Sequence, residues 1–231
     1  RLRLEASIPG NGLCSFNVAG IHIQLQGGAQ DGAAKGGSGG GLGVFKGLNL
    51  LGRRVDGSTG KSFAYGATGG LYMIQNYADS RACIRMSGAD IVFGGRITVP
   101  VSRCRTGIAS RAHLKGFAFE YMTGGRVVVL GDPGPWICSG MTGGVVYQCL
   151  YPELGFDRSA LDQRLASGAE VVISGINAQG ISVVRSLLAT YIQGLRSTLQ
   201  HEEADEVRKI REQVDTRFVM ILPRAIVLEQ E

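Results

Sequence analysis

Met122-Thr123-Gly124-Gly125-Arg126-Val127-Val128-Val129-Leu130 and, from Thr123 to Thr142 nineteen residues on, Met141-Thr142-Gly143-Gly144-Val145-Val146-Tyr147 decide the reading of this chain. Each stretch is Ser or Thr, then Gly, then Gly or Ala, then an apolar strand-like run. Three more copies stand upstream: Ser38-Gly39-Gly40 before Leu42 and Val44, Thr68-Gly69-Gly70 before Leu71–Ile74, and Ser87-Gly88-Ala89 before Ile91–Phe93. The steps between the Ser/Thr positions are 30, 19, 36 and 19 (68−38, 87−68, 123−87, 142−123). Two steps equal one spacing and a third is nearly twice it. The step of 30 is expected to hold an irregular loop, Gly47–Gly57. Five and four residues before each Ser/Thr stand Ala33-Ala34, Phe63-Ala64, Ala82-Cys83, Ala118-Phe119 and Ile137-Cys138, small or apolar throughout. The residue just before it is Met86, Met122 or Met141 in three copies.

A unit of this length holds two or three short strands and their corners, and it cannot bury its own apolar face. Units therefore stack at strand spacing, roughly 4.8 Å. The corners need positive φ or close backbone approach, and glycine permits both. The hydroxyls are expected to satisfy corner backbone groups locally. An antiparallel barrel with Gly-rich hairpins is the alternative. The fixed small-apolar pair before every corner favours a helix-like stack of strands.

Composition agrees with a folded, mainly β chain. There are 36 glycines in 231 residues but only 6 prolines, 44% hydrophobic residues and 19% charged ones. Collagen and a disordered linker are both excluded. The glycines crowd the first part, and none follows Gly194. The expected division is a Gly-rich body over residues 1–175 and a helical extension with a closing strand over residues 176–231.

In the second part, Asp157 or Ser159 can cap a short helix to Leu165, and Glu170–Ile173 reads as a strand. Ile181, Val184, Leu187, Leu188, Tyr191, Ile192 and Leu195 follow helical spacing, with Gly194 as an internal weak point. A second helix is expected from Glu202 to Val214, and Arg217–Leu222 reads as a strand stopped by Pro223. The two helices are expected to cap an open end of the stack.

The net charge of +5 is scattered, with no basic run longer than two. Neither nucleic acid nor a membrane is an expected partner. Five cysteines, Cys14, Cys83, Cys104, Cys138 and Cys149, show no C-x-x-C pair and read as reduced, mostly buried thiols of a cytoplasmic protein. His22, His113 and His201 lack metal spacing, and Asp31, Asp56, Asp79 and Asp90 sit where side chains cap turns.

Two lookalikes are corner motifs out of context. Gly57-Ser58-Thr59-Gly60-Lys61-Ser62 resembles a phosphate loop, but Val55 stands where that loop needs its first glycine. Gly36-Gly37-Ser38-Gly39-Gly40 satisfies G-x-S-x-G, yet no helix pattern follows. An esterase built on Ser38 is the alternative of another class.

The ordered set Tyr65-Gly66-Ala67-Thr68-Gly69-Gly70, Arg85-Met86-Ser87-Gly88-Ala89, Glu120-Tyr121-Met122-Thr123-Gly124-Gly125 and Gly140-Met141-Thr142-Gly143-Gly144-Val145 resembles the C-terminal domain of the glutamate synthase large subunit. Ala29-Gln30-Asp31-Gly32 resembles its earlier repeat. The resemblance implies a right-handed parallel β-helix of the GXGXG type, and a structural role. It implies that this chain binds no cofactor and carries no catalytic residue. Its partners would be a synthase part bearing FMN and an iron–sulfur cluster, and a glutamine-amidotransferase-like part. More distant resemblances are to subunits of N-methylglutamate synthase and of formylmethanofuran dehydrogenase. Arg96–Lys115, with Arg96, Arg103, Cys104, Arg105, Arg111 and His113, looks inserted. The residues expected to matter are the corners themselves: Ser38, Gly39, Gly40, Thr68, Gly69, Gly70, Ser87, Gly88, Thr123, Gly124, Gly125, Thr142, Gly143 and Gly144.

Overall fold

Each Ser/Thr-Gly-Gly or Ser-Gly-Ala unit leads into a strand, as the apolar runs require. The computed structural model describes residues 1–101 and 107–225. The strands are β1 (Leu2–Ser7), β2 (His22–Gly27), β3 (Ser38–Leu48), β4 (Arg54–Asp56), β5 (Gly69–Ile74), β6 (Asp90–Phe93), β7 (Thr123–Val129), β8 (Gly143–Cys149), β9 (Val171–Gly175) and β10 (Phe218–Pro223). One sheet runs in the order β1-β2-β3-β5-β6-β7-β8-β10-β9, with β4 hairpinned onto β3. It is parallel from β1 to β8, and β10 is antiparallel to both its neighbours. An open, mostly parallel sheet excludes the closed antiparallel barrel. With its C-terminal helices, the chain is mixed α/β rather than mainly β.

Register puts like residues in rows. Leu42, Tyr72, Ile91, Val127 and Val146 face one another along one row, and Val44, Ile74, Phe93 and Val129 along the next. All nine are at most 1% exposed. Phe63 closes on this layer edge-on, 5.8 Å from Phe93 and 6.2 Å from Tyr72 between ring centres. Parallel strands buried on both faces read as near-continuous apolar runs, as Val127–Leu130 does.

Two further sets of contacts join successive repeats. Ala29, Thr59, Ala78 and Leu114 form a ladder of single parallel bridges. Before each Ser/Thr the backbone forms an arc whose N–H groups point alternately to the following and the preceding repeat. Gly32 N donates to Lys61 O (2.8 Å), Ala34 N to Leu13 O (2.9 Å) and Gly36 N to Tyr65 O (2.8 Å). Ser62, Ala64 and Gly66 repeat the scheme toward Ser80, Ala33 and Ile84.

The arcs hold an unexpected backbone pattern. Positive φ falls on every second residue: Arg81, Cys83 and Arg85 (68°, 60° and 54°), then Phe117, Phe119 and Tyr121 (56°, 64° and 53°). These are not glycines, and each costs about 1–2 kcal/mol relative to ordinary backbone. The inter-repeat hydrogen bonds offset that cost, because the alternative is a buried unpaired N–H. The glycine excess therefore accounts for only part of the left-handed backbone.

The α-helices among the described residues are α1 (Ile108–Arg111), α2 (Arg158–Asp162), α3 (Ala178–Ser197), α4 (His201–Glu212) and α5 (Val214–Arg217). Asp157 caps α2 by accepting from Ala160 N at 2.8 Å, and Asn177 caps α3 by accepting from Gly180 N at 2.8 Å. The expected end cap is not what α3 provides. It runs along the outer sheet face: Gly180 meets Tyr147 of β8, Tyr191 meets Gly94 after β6, and Gly194 meets Phe45 of β3. At its end Ser197 Oγ accepts from Gln24 Nε2 of β2 at 2.6 Å.

The lengths agree with this path. From Gly180 to Ser197 the helix rises ~25 Å. From β8 to β2 the sheet spans five strand intervals, ~24 Å. Gly194 is no weak point, since α3 continues to Ser197. A Cβ there would stand 2.5 Å from the Phe45 ring, so glycine lets the aromatic row press against the helix. Arg103, Cys104 and Arg105 of the expected insertion lie outside the described residues.

Phe45 and Tyr191 stack at 6.2 Å with 14° between their planes, and the Tyr191 hydroxyl is buried without a protein partner. Burial pushes that phenol well above the usual tyrosine range. Tyr191→Phe removes the polar atom and keeps the ring. We expect stability to stay level or rise by about 1 kcal/mol, read from urea unfolding midpoints. A loss larger than that would mean the hydroxyl is satisfied.

Candidate functional site

The fourteen predicted corner residues lie at or just before the starts of β3, β5, β6, β7 and β8, and where a unit has two glycines they have different tasks. The first sits over the carbonyl of the preceding repeat. A Cβ on Gly69 would stand 2.6 Å from Ser38 O, on Gly88 2.6 Å from Thr68 O, on Gly124 2.2 Å from Ser87 O, and on Gly143 2.1 Å from Thr123 O. Gly39 meets Ala19 N in the same way, at 2.7 Å. The second glycine turns the chain, with positive φ at Gly40, Gly70, Gly125 and Gly144. Ala89, which replaces it in the third copy, has no positive φ.

At the four corners from Thr68 to Thr142 two successive N–H groups share one acceptor. Met86 O takes Thr123 N (2.9 Å) and Gly124 N (3.3 Å), and Met122 O takes Thr142 N (2.9 Å) and Gly143 N (3.2 Å). The methionine side chains then fill the space left by the next glycine. Met86 Cε would lie 2.8 Å from a Cβ on Gly125, and Met122 Cε 2.5 Å from one on Gly144.

The hydroxyls do not behave as expected. Ser38 Oγ reaches Asn17 O at 3.4 Å, but Thr68, Ser87, Thr123 and Thr142 are exposed. They form an outward row at strand spacing rather than local caps. A parallel register places residue on residue, so a corner side chain that leaves the backbone bonds free must point to solvent. Ser38 itself enters a strand, so the nucleophile-elbow geometry is absent there.

One repeat escaped the sequence pattern. Leu13-Cys14 occupies the small-apolar place, and Asn17 O accepts from Ser38 N at 2.8 Å. Asn17 Nδ2 donates to Ile21 O (3.1 Å) and Gly39 O (3.0 Å), a side-chain closure in place of a Gly-Gly corner. The step from Leu13-Cys14 to Ala33-Ala34 was the available signal.

The phosphate-loop lookalike is filled from within. Lys61 N donates to Asp31 Oδ1 at 2.8 Å, where an anion would need that donor. Asp56 and Asp79 cap Ser58 N and Ser80 N, as expected of turn aspartates, whereas Asp90 pairs with Arg126 at 2.6 Å. Asp31, Asp56 and Asp79 border a cavity of about 460 Å³, but they do not converge as metal ligands.

A second feature was not legible. Asp132 and Arg164, 6% and 3% exposed, form a buried two-bond ion pair at 2.8 and 3.2 Å. Asp132 Oδ1 also accepts Gly134 N at 2.9 Å, and Asp132 N donates to His113 Nδ1 at 3.2 Å. Burial holds His113 below the ordinary imidazole value, against the pull of the Asp132 carboxylate. A cavity of about 210 Å³ opens beside this knot. Its Arg96 is bound by Glu203 at 3.0 and 3.1 Å, and the cations Arg96 and Arg164 are thus already neutralised. His22 and His201 stand on the surface.

The described cysteines are solitary. Cys83, Cys138 and Cys149 are buried, and Cys14 is half-buried. Burial pushes the Cys83 and Cys138 thiols far up, Cys149 to about 12 and Cys14 to about 11. At pH 8 the thiolate is the reactive form. We expect a disulfide reagent to label Cys83, Cys138 and Cys149 only as fast as the protein unfolds, read by peptide mass mapping. Rapid native labelling of any of the three would contradict this packing.

Among the described residues no group of three or more His, Cys, Asp or Glu is placed to hold a metal ion. No helix among them is long and apolar enough to cross a membrane. What the arrangement supplies is a stack whose repeats lock through backbone contacts that tolerate no extra atom.

The family model described as the GXGXG motif matches residues 2–224. "Ferredoxin-dependent glutamate synthase" of Cyanidium caldarium is 35% identical over 142 residues, 60% of this chain and 8% of that protein. "Glutamate synthase [NADH]" of Schizosaccharomyces pombe is 30% identical over 225 residues, 96% of this chain and 9% of that protein. "Glutamate synthase [NADPH] large chain" of Bacillus subtilis is 27% identical over 218 residues, 93% of this chain and 12% of that protein. The chain thus spans about a tenth of the length of the curated relatives it matches. The chain belongs to the GXGXG family, and its match is to the GXGXG domain of glutamate synthases.

Proposed function

We propose that this member of the GXGXG family is the structural part of a glutamate-synthase-like oxidoreductase and performs no chemistry itself. The observation that carries the reading is the corner row. Ser38 to Thr142 spend their backbone groups on locking one repeat to the next, and the GXGXG family match and the glutamate synthase relatives cover this stretch. The sheet, the bridge ladder and the arcs are three parallel sets of contacts between the same repeats. We read them as turns of a right-handed parallel β-helix over residues 1–175, with residues 176–231 as its helical extension.

On this reading the stack is a rigid, elongated body that holds two reactive parts at a fixed separation. One is a synthase part with FMN and an iron–sulfur cluster, and the other a glutamine-amidotransferase-like part. They belong either to the same polypeptide or to separate chains in the cytoplasm. The chemistry is then theirs, and Ser38 is a corner residue.

Native purification through a tag on this chain tests the reading. Flavin and iron–sulfur absorbance and glutamine-dependent glutamate formation should accompany the tag, and Ser38→Ala should leave turnover unchanged. Ester hydrolysis that Ser38→Ala abolishes would defeat it. So would a preparation lacking flavin and iron–sulfur protein, and a metal-dependent amidohydrolase in their place would point to the formyl-transfer alternative.

A further inference from the structure

The sheet has two outer strands, and they are finished differently. At one end Arg158 donates to Ile173 O of β9 and covers part of that edge. At the other end β1 pairs with β2 alone. Its backbone groups that face away from β2 have no partner among the described residues. α3 stops short of β1, its last turn bonded to Gln24 of β2.

The terminal coil, residues 1–21, is open in its arc as well. In the other arcs the middle residue donates backward, as Ala34 N does to Leu13 O and Ala64 N to Ala33 O. Cys14 N holds the same place and has no backbone acceptor among the described residues. This coil also carries Leu2, Ile8, Phe16, Val18 and Ile21, each at least 49% exposed. A terminal repeat needs a polar outer face to stand alone in water, and an uncovered strand edge recruits another strand.

The side chains of β1 select that strand. Register with β2 puts Leu2 and Leu4 in the core rows of Ile23 and Leu25, and Arg3 and Glu5 on the outer face beside Gln24 and Gln26. Arg3 and Glu5 are exposed and make no ion pair among the described residues. Consider a second β1 lying antiparallel, with the two-fold axis through Leu4 and perpendicular to the sheet. Arg3 of each copy then stands opposite Glu5 of the other, and Leu4 meets Leu4. An axis through Arg3 or Glu5 would set like charges opposite each other. An axis between residues would set core side chains against outer ones.

We propose that β1 and the terminal coil form an isologous interface between two copies of this chain, with the two β1 strands paired antiparallel about Leu4. The sheet then continues from one copy into the other, and the exposed apolar residues of both terminal coils are brought to the junction. This goes beyond the glutamate-synthase-like reading and does not rest on it.

Sedimentation equilibrium on the full natural polypeptide tests the pairing. The wild-type protein should dimerise. Arg3→Glu and Glu5→Arg should each weaken the dimer on the order of tenfold, because two like pairs then face each other across the axis. Arg3→Glu combined with Glu5→Arg restores both opposite pairs and should restore the dimer. Far-ultraviolet circular dichroism of every variant should match the wild type, which separates association from folding. A protein that stays monomeric at every concentration would overturn the proposal. So would a dimer indifferent to either single change, or a combined variant no tighter than the single ones.

Discussion

Gly124→Val is expected to abolish folding. A Cβ at this position stands 2.2 Å from Ser87 O and 2.9 Å from the Ser87 carbonyl carbon. Both are backbone, so no rotamer change relieves the overlap. Nor can the backbone move away, because Thr123 N and Gly124 N both bond Met86 O, and Thr123 pairs with Gly143 on the other side. Separating the repeats by the needed ångström would break the corner bonds and open the Val127–Val146 layer together. Overpacking in a core that can adjust costs about 1–3 kcal/mol. Here adjustment is blocked from both sides, and the cost should exceed a large part of the ~5–15 kcal/mol that stabilises a typical domain. The readout is soluble yield and far-ultraviolet circular dichroism, with Gly32→Ala as the control. Gly32 has φ +70° but nothing within 4 Å of a Cβ, so that change carries only backbone strain, about 1–2 kcal/mol. A folded Gly124→Val protein of near-normal stability would refute the locked-corner account. A folded variant that lost only turnover in its assembly would refute the structural role.

The contrast between these glycines explains what the sequence could disclose. The close-approach position admits glycine alone, so it repeats as a letter: Gly69, Gly88, Gly124, Gly143. Positive φ in the arcs leaves no letter, because the inter-repeat hydrogen bonds impose it on Ala64, Arg81, Phe119 and Cys138 alike. The helical spacing from Ile181 to Leu195 identified α3, but it could not say which surface α3 covers. That depends on Gly94, Gly194 and Phe45 leaving a channel along the outer sheet face, a property of three distant segments at once. The first repeat was hidden for the opposite reason. Asn17 closes its corner by side-chain bonds, so the strict Gly-Gly requirement lapses there. The segment 47–57 was visible as surplus length, but the three-residue β4 that pairs it back onto β3 is too short to leave a pattern.

Asp132→Ala should be the most damaging substitution that adds no atoms. Asp132 lies in the turn after β7, and Arg164 follows α2, so the pair ties the repeat stack to the segment leading into β9. The tie is reinforced where Ile137 bridges Leu165. Removing the carboxylate takes the ion pair from a guanidinium that is 3% exposed in the native protein; among the described residues Ala160 O at 3.2 Å and the Phe156 ring at 5.5 Å stay beside it. Breaking a buried pair by deleting one partner typically costs ~3–5 kcal/mol, because a desolvated charge remains. Gly134 N loses its acceptor in the same step. Arg164→Met should cost a similar amount, since it strands the carboxylate instead. Asp132→Ala combined with Arg164→Met removes both charges and should be clearly less destabilising than the sum of the single changes. A double-mutant cycle on urea unfolding measures this directly. Strict additivity, or a loss under about 1 kcal/mol for Asp132→Ala, would mean that water reaches the pair. The buried charges would then not be what joins the stack to its C-terminal segment.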